Sequence, residues 1–145
     1  MATGKADRAT LEKWVIDFTE AFNREDIDEV MSYFAEEAIY DEFNAVLHEG
    51  KTAIREAFVP QFRGDFGRMR FHTEDMFLDV EAGKALIRWT LTLEQPNRAG
   101  GWRGLDILRF EDGKLVEKLT YAKAKVPVVE KKEESARIRR LIDRG

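Results

Sequence analysis

Residues 102–124, WRGLDILRFEDGKLVEKLTYAKA, constrain this chain more than any other stretch. Two runs of branched and aromatic residues flank Asp112-Gly113, a dipeptide that favours tight hairpins, so the stretch predicts two paired strands. One strand carries an acid, Asp106, inside an apolar run, and the other carries a base, Lys118. The turn decides which faces they share. A two-residue loop pairs Glu111 with Lys114 and sets Asp106 opposite Leu119. A three-residue loop, Glu111-Asp112-Gly113, pairs Phe110 with Lys114 and sets Asp106 opposite Lys118. A one-residue slip turns all side chains of a strand over, so the hydrophobic pattern discriminates. The three-residue loop gathers Leu105, Ile107, Leu115, Leu119 and Tyr121 on one face. It leaves Trp102, Asp106, Leu108, Phe110, Val116, Lys118, Thr120 and Ala122 on the other. The two-residue loop mixes charged and apolar residues on both. The three-residue loop is therefore preferred, with Asp106 and Lys118 on one apolar-lined face.

The chain before the hairpin begins helically. Leu11, Trp14, Val15, Phe18, Ala21 and Phe22 recur at the spacing of one helix face, with Thr10 as the expected N-cap. Asp26 opens a second, shorter helix that buries Ile27, Val30, Met31 and Phe34. Residues 38–43 read as a strand and 45–48 as its short partner. A third helix carries Ile54, Ala57 and Phe58 on its apolar face, and Pro60 is expected to end or kink it. Long strands are predicted at 69–80 and 85–93, with a loop at 95–101. Helices first and strands afterwards argue for an α+β domain with the helices gathered on one face of an antiparallel sheet. The small, polar residues 1–9 are expected to be disordered. One domain is expected over 10–126, and 127–145 form a charged C-terminal helix or tail with a narrow stripe of Ile138, Leu141 and Ile142.

At 145 residues the chain has the size of one ordinary domain. It lacks cysteine, which excludes disulfides, thiolate metal sites and a thiol nucleophile. Its two histidines, His48 and His72, are far apart in sequence, so a metal site built mainly from histidine is not expected, and the acid–base chemistry considered below implies no metal or organic cofactor. Net charge is -4 with the basic residues scattered, which argues against a nucleic-acid partner. No apolar run approaches the ~20 residues that span a bilayer, and MATGKADRAT lacks the apolar core of a signal peptide. A soluble, cytoplasmic protein is the expectation.

Three motifs in order carry a resemblance. GLDILRFEDGKLVE resembles the C-terminal hairpin of the nuclear transport factor 2-like superfamily, closest in style to its SnoaL-like polyketide cyclase and ketosteroid isomerase branches. FAEEAIYD, from Phe34, is similar to the segment those families carry after their second helix, and HEGKTAIR, from His48, to their turn into helix three. The resemblance implies a cystatin-like fold: a cone-shaped, curved, mixed sheet with three N-terminal helices packed on its concave face. It also implies a pocket for a hydrophobic small molecule at the open end and a homodimer through the outer sheet face. Asp106 falls where the isomerases hold an acid that donates to an oxyanion, and Glu42 where they hold the proton-shuttling carboxylate. Their oxyanion tyrosine falls at Phe18, which cannot donate. Arg88 could supply the arginine of the Asp-Arg-Asp arrangement of limonene epoxide hydrolase, another relative.

Two readings of Asp106 stand side by side. It is a general acid or base in the pocket, or the structural partner of Lys118 across the strands. Asp41 and Glu42 are neighbours on a strand, so at most one of them enters the pocket, and Tyr40 shares the side of Glu42. His72 and Arg88 are the other candidates, as stabilisers of developing negative charge; the alternatives are a satisfied structural histidine for His72 and a solvated or dimer-face arginine for Arg88. Trp14, Phe18, Trp89 and Trp102 belong either to the core or to the wall of a site for a flat, hydrophobic ligand. Such a site suits cofactor-independent cyclase, isomerase or dehydratase chemistry, or a non-catalytic binding protein or accessory dimer.

Overall fold

In a computed structural model of the chain, the described residues are 6–123; the segment read as a C-terminal helix or tail lies outside them. Helix α1 (Arg8–Asn23) starts one turn earlier than the sequence predicts, because Asp7, not Thr10, is its N-cap. The Asp7 carboxylate accepts a hydrogen bond from the Thr10 backbone N–H at 2.8 Å, and its charge complements the helix N-terminus. Helix α2 (Ile27–Ser32) is capped by Asp26, which accepts from the N–H groups of Asp28 and Glu29. Phe34 was expected on this helix but opens strand β1 (Phe34–Asp41) instead. The Tyr33 carbonyl accepts from the Leu115 N–H at 2.8 Å, and Phe34 pairs with Leu115. Its ring packs between Phe18 and Phe58. Tertiary pairing overrides the local helical pattern there.

Strand β2 (Leu47–Glu49) folds back on β1, pairing Tyr40 with His48. Helix α3 (Lys51–Arg63) runs through Pro60 rather than stopping at it. Gly64, in the left-handed conformation at φ 91°, closes the final turn, and the Pro60 carbonyl accepts from the Asp65 N–H at 3.0 Å. The proline removes one ladder donor near the helix end, where C-terminal capping compensates. No helix among the described residues is long and apolar enough to cross a membrane.

Strands β3 (Arg68–Asp79), β4 (Lys84–Gln95), β5 (Arg98–Glu111) and β6 (Lys114–Ala122) complete a six-stranded curved sheet in the order β2-β1-β6-β5-β4-β3. The β1–β6 contact is parallel and the others are antiparallel. The expected loop at 95–101 shrinks to a turn at Pro96-Asn97, because Gln95 pairs with Arg98 and Leu93 with Gly100. Glycines weaken a strand by themselves, but the long β4 ladder supplies their backbone partners. The three helices cover one face, burying Val15, Phe18, Val30 and Ile54 against Ile87, Leu91, Leu108 and Leu115.

The hairpin corrects the preferred register. Asp112 and Gly113 both have positive φ, at 50° and 79°, and Glu111 pairs with Lys114, so the turn is the two-residue kind. Phe110 then pairs with Leu115 and Arg109 with Glu117, leaving Val116 as a one-residue bulge. The bulge adds the odd residue that the three-residue loop was invoked to provide. Asp106 consequently faces Thr120, and Lys118 faces Leu108. Asp106 and Lys118 keep a common face, while Leu115 moves from the expected outer face into the core.

Candidate functional site

Alternation along the central strands aims a polar group into the concave side. Tyr40 on β1 pairs with Lys118 on β6, and Asp106 on β5 lies between Ile87 and Thr120. Trp89 on β4 pairs with Gly104. A Cβ at Gly104 would stand 2.5 Å from the Trp89 ring, so the glycine provides the space in which the indole crosses β5. The Trp89 Nε1–H donates to Asp106 Oδ2 at 3.1 Å. The Lys118 ammonium and the Thr120 hydroxyl donate to Asp106 Oδ1 at 3.1 and 2.6 Å. Lys118 also donates to the Thr120 oxygen at 2.6 Å.

Asp106 and Lys118 are only 6% and 5% exposed. A buried carboxylate needs partners, and this one has three donors. The Lys118 ammonium sits 4.4 Å from the centre of the Tyr40 ring, a favourable cation–π distance. Two of its three N–H groups are taken by Asp106 and Thr120, which leaves one for another acceptor.

Above this network lies a cavity of about 430 Å³. Phe22, Phe58, Phe71, Leu91 and Trp102 give it apolar walls, with Trp89 at its base. Its polar lining includes Tyr40, Glu42, Asn44, Gln61, Lys118 and Thr120. Phe43 and Phe66 stand half-exposed at its edge. Asp106 does not line it, since Lys118, Thr120 and Trp89 stand between the carboxylate and the space. Glu42 lies just past the end of β1 and reaches His48 Nε2 at 2.7 Å. The Tyr40 and His48 rings stack with centroids 5.5 Å apart.

Burial pushes the Tyr40 hydroxyl well above the ordinary tyrosine range. The negative charges of Glu42 and Asp106 add to the shift, and a hydrogen bond with Thr120 opposes it. Tyr40 therefore stays protonated through the neutral range and can donate a hydrogen bond. An unfolded tyrosine ionises near pH ~10, so above that pH the unfolded chain holds fewer protons than the native one and stability falls as pH rises. Tyr40→Phe should lose stability less steeply than the wild type in this alkaline window, as read from urea midpoints at a series of pH values.

Of the residues singled out in the sequence, Tyr40, Glu42, Trp89, Trp102 and Lys118 meet at the cavity, and Asp106 lies directly behind it. The structure does not bring the others there. Arg88 lies on the opposite sheet face, paired with Asp75 at 3.0 Å and Glu74 at 3.4 Å. His72 bonds to Thr92 at 3.0 Å in an open cleft beside Asn23 and Arg70. Phe18 is enclosed by Phe22, Tyr33 and Phe34. Trp14 packs on Phe110. His48 is the residue that sequence reasoning passed over. The signal available for it was its position in the short partner strand of the segment containing Tyr40 and Glu42.

The geometry can be set beside known proteins. None of the curated protein sequences matches the chain. Among solved structures, a putative polyketide cyclase from Xanthomonas campestris pv. campestris superposes with a TM-score of 0.70 at 17% identity, covering 81% of this chain and 93% of that one. The epoxide hydrolase/cyclase-like enzyme SalBIII of salinomycin pyran ring formation gives 0.71 at 17% identity, with the same coverages of 81% and 93%. A protein of unknown function with a cystatin-like fold from Methylobium petroleophilum PM1 gives 0.68 at 18% identity, covering 87% and 82%. At these identities the likeness is one of fold. The family model of the SnoaL-like domain matches residues 15–118, and the chain belongs to that family.

Proposed function

We propose that the cavity takes a hydrophobic small molecule bearing a carbonyl group and catalyses cofactor-independent proton transfer on it, the elementary step of an isomerase, cyclase or dehydratase. The observation that carries this reading is a carboxylate and an ammonium lining one apolar cavity: Glu42 and Lys118. Glu42 is the general base for an acidic C–H. The free N–H of Lys118 meets the oxygen on which negative charge develops, with Thr120 and Tyr40 beside it. Asp106 acts as a positioning residue that holds the Lys118 side chain in place through its hydrogen bond. This differs from the direct acid–base role considered from the sequence, and it follows from the carboxylate's position behind the lining.

The test needs no knowledge of the natural substrate. 2-Tetralone is a flat aromatic ketone with an acidic C–H and is small enough for the cavity. The wild-type protein should accelerate deuterium uptake from D₂O into it above the buffer rate, as read by mass spectrometry. A second reading, non-catalytic binding, is favoured by the complete pairing of Asp106. It gives quenching of Trp89 and Trp102 fluorescence by the ketone with deuterium uptake at the buffer rate.

We also propose that the outer sheet face pairs two copies of the chain. Phe77, Leu86, Ile107 and Leu119 are successive register partners across β3, β4, β5 and β6, forming an apolar row. Phe77 is exposed in the single chain. Ile107→Glu should convert a dimer to a monomer in sedimentation analysis, with the helical content unchanged.

A further inference from the structure

A second cavity, of about 410 Å³, adjoins the first. Phe22, Gln61 and Met69 line both, so these three side chains form the partition between them. Phe22 is fixed by the rings of Phe18, Phe58, Phe62 and Phe71. The other two are not pinned. Methionine is unbranched and adapts its shape readily, and the Gln61 side chain has no hydrogen-bond partner among the described residues. The first cavity is walled mainly by rings, whereas the second is rimmed by the charges of Glu25, Arg63 and Arg68. Arg63 is held by Asp65 through two hydrogen bonds, at 2.9 and 2.5 Å. Arg68 lies 3.6 Å from Glu25, beyond hydrogen-bond length, and both side chains are more than half exposed. Its guanidinium donors are therefore open to a ligand. The place of Arg68 at the rim is built in. It pairs with Glu94 on β4, and a Cβ at the preceding Gly67 would stand 2.3 Å from the Glu94 carbonyl oxygen, so only a glycine lets the chain enter β3 this close to β4.

We infer that the two cavities form one elongated site and that its ligand carries a carboxylate at the end of an alkyl chain. The apolar ring portion lies in the first cavity, the chain passes between Gln61 and Met69, and the carboxylate meets Arg68. The inference rests on the proposed function for the position of the ring only. A planar guanidinium offers paired, parallel donors that match the two oxygens of a carboxylate. Asp65 is already neutralised by Arg63, which leaves Glu25 as the carboxylate at this rim that opposes the ligand's charge. An exposed ion pair contributes little, so Glu25 turns to solvent at small cost when the ligand takes its place on Arg68. Passage between the cavities needs only rotamer changes of Gln61 and Met69, with the Phe22 ring and the backbone left in place.

The probes are 2-tetralones bearing a carboxyalkyl chain of graded length on the aromatic ring, and the same chains ending in a primary amide. Binding is read from quenching of Trp89 and Trp102 fluorescence. At one chain length the carboxylate should bind the wild type at least about fivefold more tightly than its amide, a charge-assisted hydrogen bond less the repulsion of Glu25. Arg68→Gln should abolish that preference, and Glu25→Gln should increase it. Unmodified 2-tetralone should bind all three proteins alike, since neither residue lines the first cavity. Carboxylates no better than amides at every length, or a preference that survives Arg68→Gln, overturns the inference. Deuterium uptake at the buffer rate with the preference intact overturns proton transfer and leaves the elongated site standing. No quenching by any of these ketones overturns both.

Discussion

Asp106→Ala should destabilise the protein by about 3–5 kcal/mol, the usual cost of removing one partner of a buried ion pair. The substitution leaves the Lys118 ammonium, 5% exposed, among the rings of Phe22, Tyr40 and Phe58. It also strips the Trp89 N–H and the Thr120 hydroxyl of their acceptor. For a chain of this size the melting temperature should fall by roughly 10 °C. Lys118→Met should cost less, about 2–3 kcal/mol, because the Asp106 carboxylate keeps two of its donors. The double variant Asp106→Leu/Lys118→Met should lose less than Asp106→Ala, since no unpaired charge stays buried. It should still lie about 1–3 kcal/mol below the wild type, because the Trp89 N–H and the Thr120 hydroxyl remain without their acceptor. Urea denaturation of the wild type, Asp106→Leu, Lys118→Met and the double variant gives the coupling directly. Additive losses would show that the two charges do not depend on each other.

Glu42→Gln should lower the exchange rate by about 10²–10⁴, the span that a positioned general base contributes. The amide has nearly the same shape and cannot accept the proton. Glu42 lies beyond the last residue of β1 and is part-exposed, so its loss of charge should change stability by less than about 1 kcal/mol. Ketone binding should be retained, giving a fall in kcat with little change in KM, the signature of an interaction made in the transition state. Asp106→Asn should act more mildly on the chemistry than Glu42→Gln, because it alters the orientation of Lys118 and not the base. The reverse ranking would return the acid–base role to Asp106.

Much of this arrangement was legible in the chain because alternation on buried strands is strict. Trp89 pointing inward sets Arg88 outward, and the shared parity of Asp106 and Lys118 holds in the observed register as it did in the preferred one. The bulge at Val116 was not legible: a bulge changes pairing without leaving a residue type that marks it, and a longer turn accounts for the same pattern. The strand over the expected 95–101 loop was hidden by its glycines, whose pairing is supplied by β4 rather than by their own propensity. Phe34 matched the spacing of α2 while belonging to β1, since an aromatic at the end of a short helix fits either element. His48 could be placed only through the pairing of β1 with β2. That is a tertiary relation, and hydrophobic periodicity does not record it. His72 was the more prominent histidine in sequence because it sits in a long strand, yet its neighbour Phe71 takes the inward position against Trp89.

Every role proposed for Glu42, Lys118 and Asp106 requires the cavity to admit a hydrophobic molecule. Intact protein, transferred gently from solution, can be weighed by native mass spectrometry with 2-tetralone present, alongside an Ala57→Trp variant. Ala57 lines the cavity, and an indole there would fill part of its roughly 430 Å³. The expected result is one ketone per wild-type chain and none on Ala57→Trp, with both proteins equally folded by circular dichroism. Equal ketone occupancy of the two proteins, or none on the wild type, would contradict it.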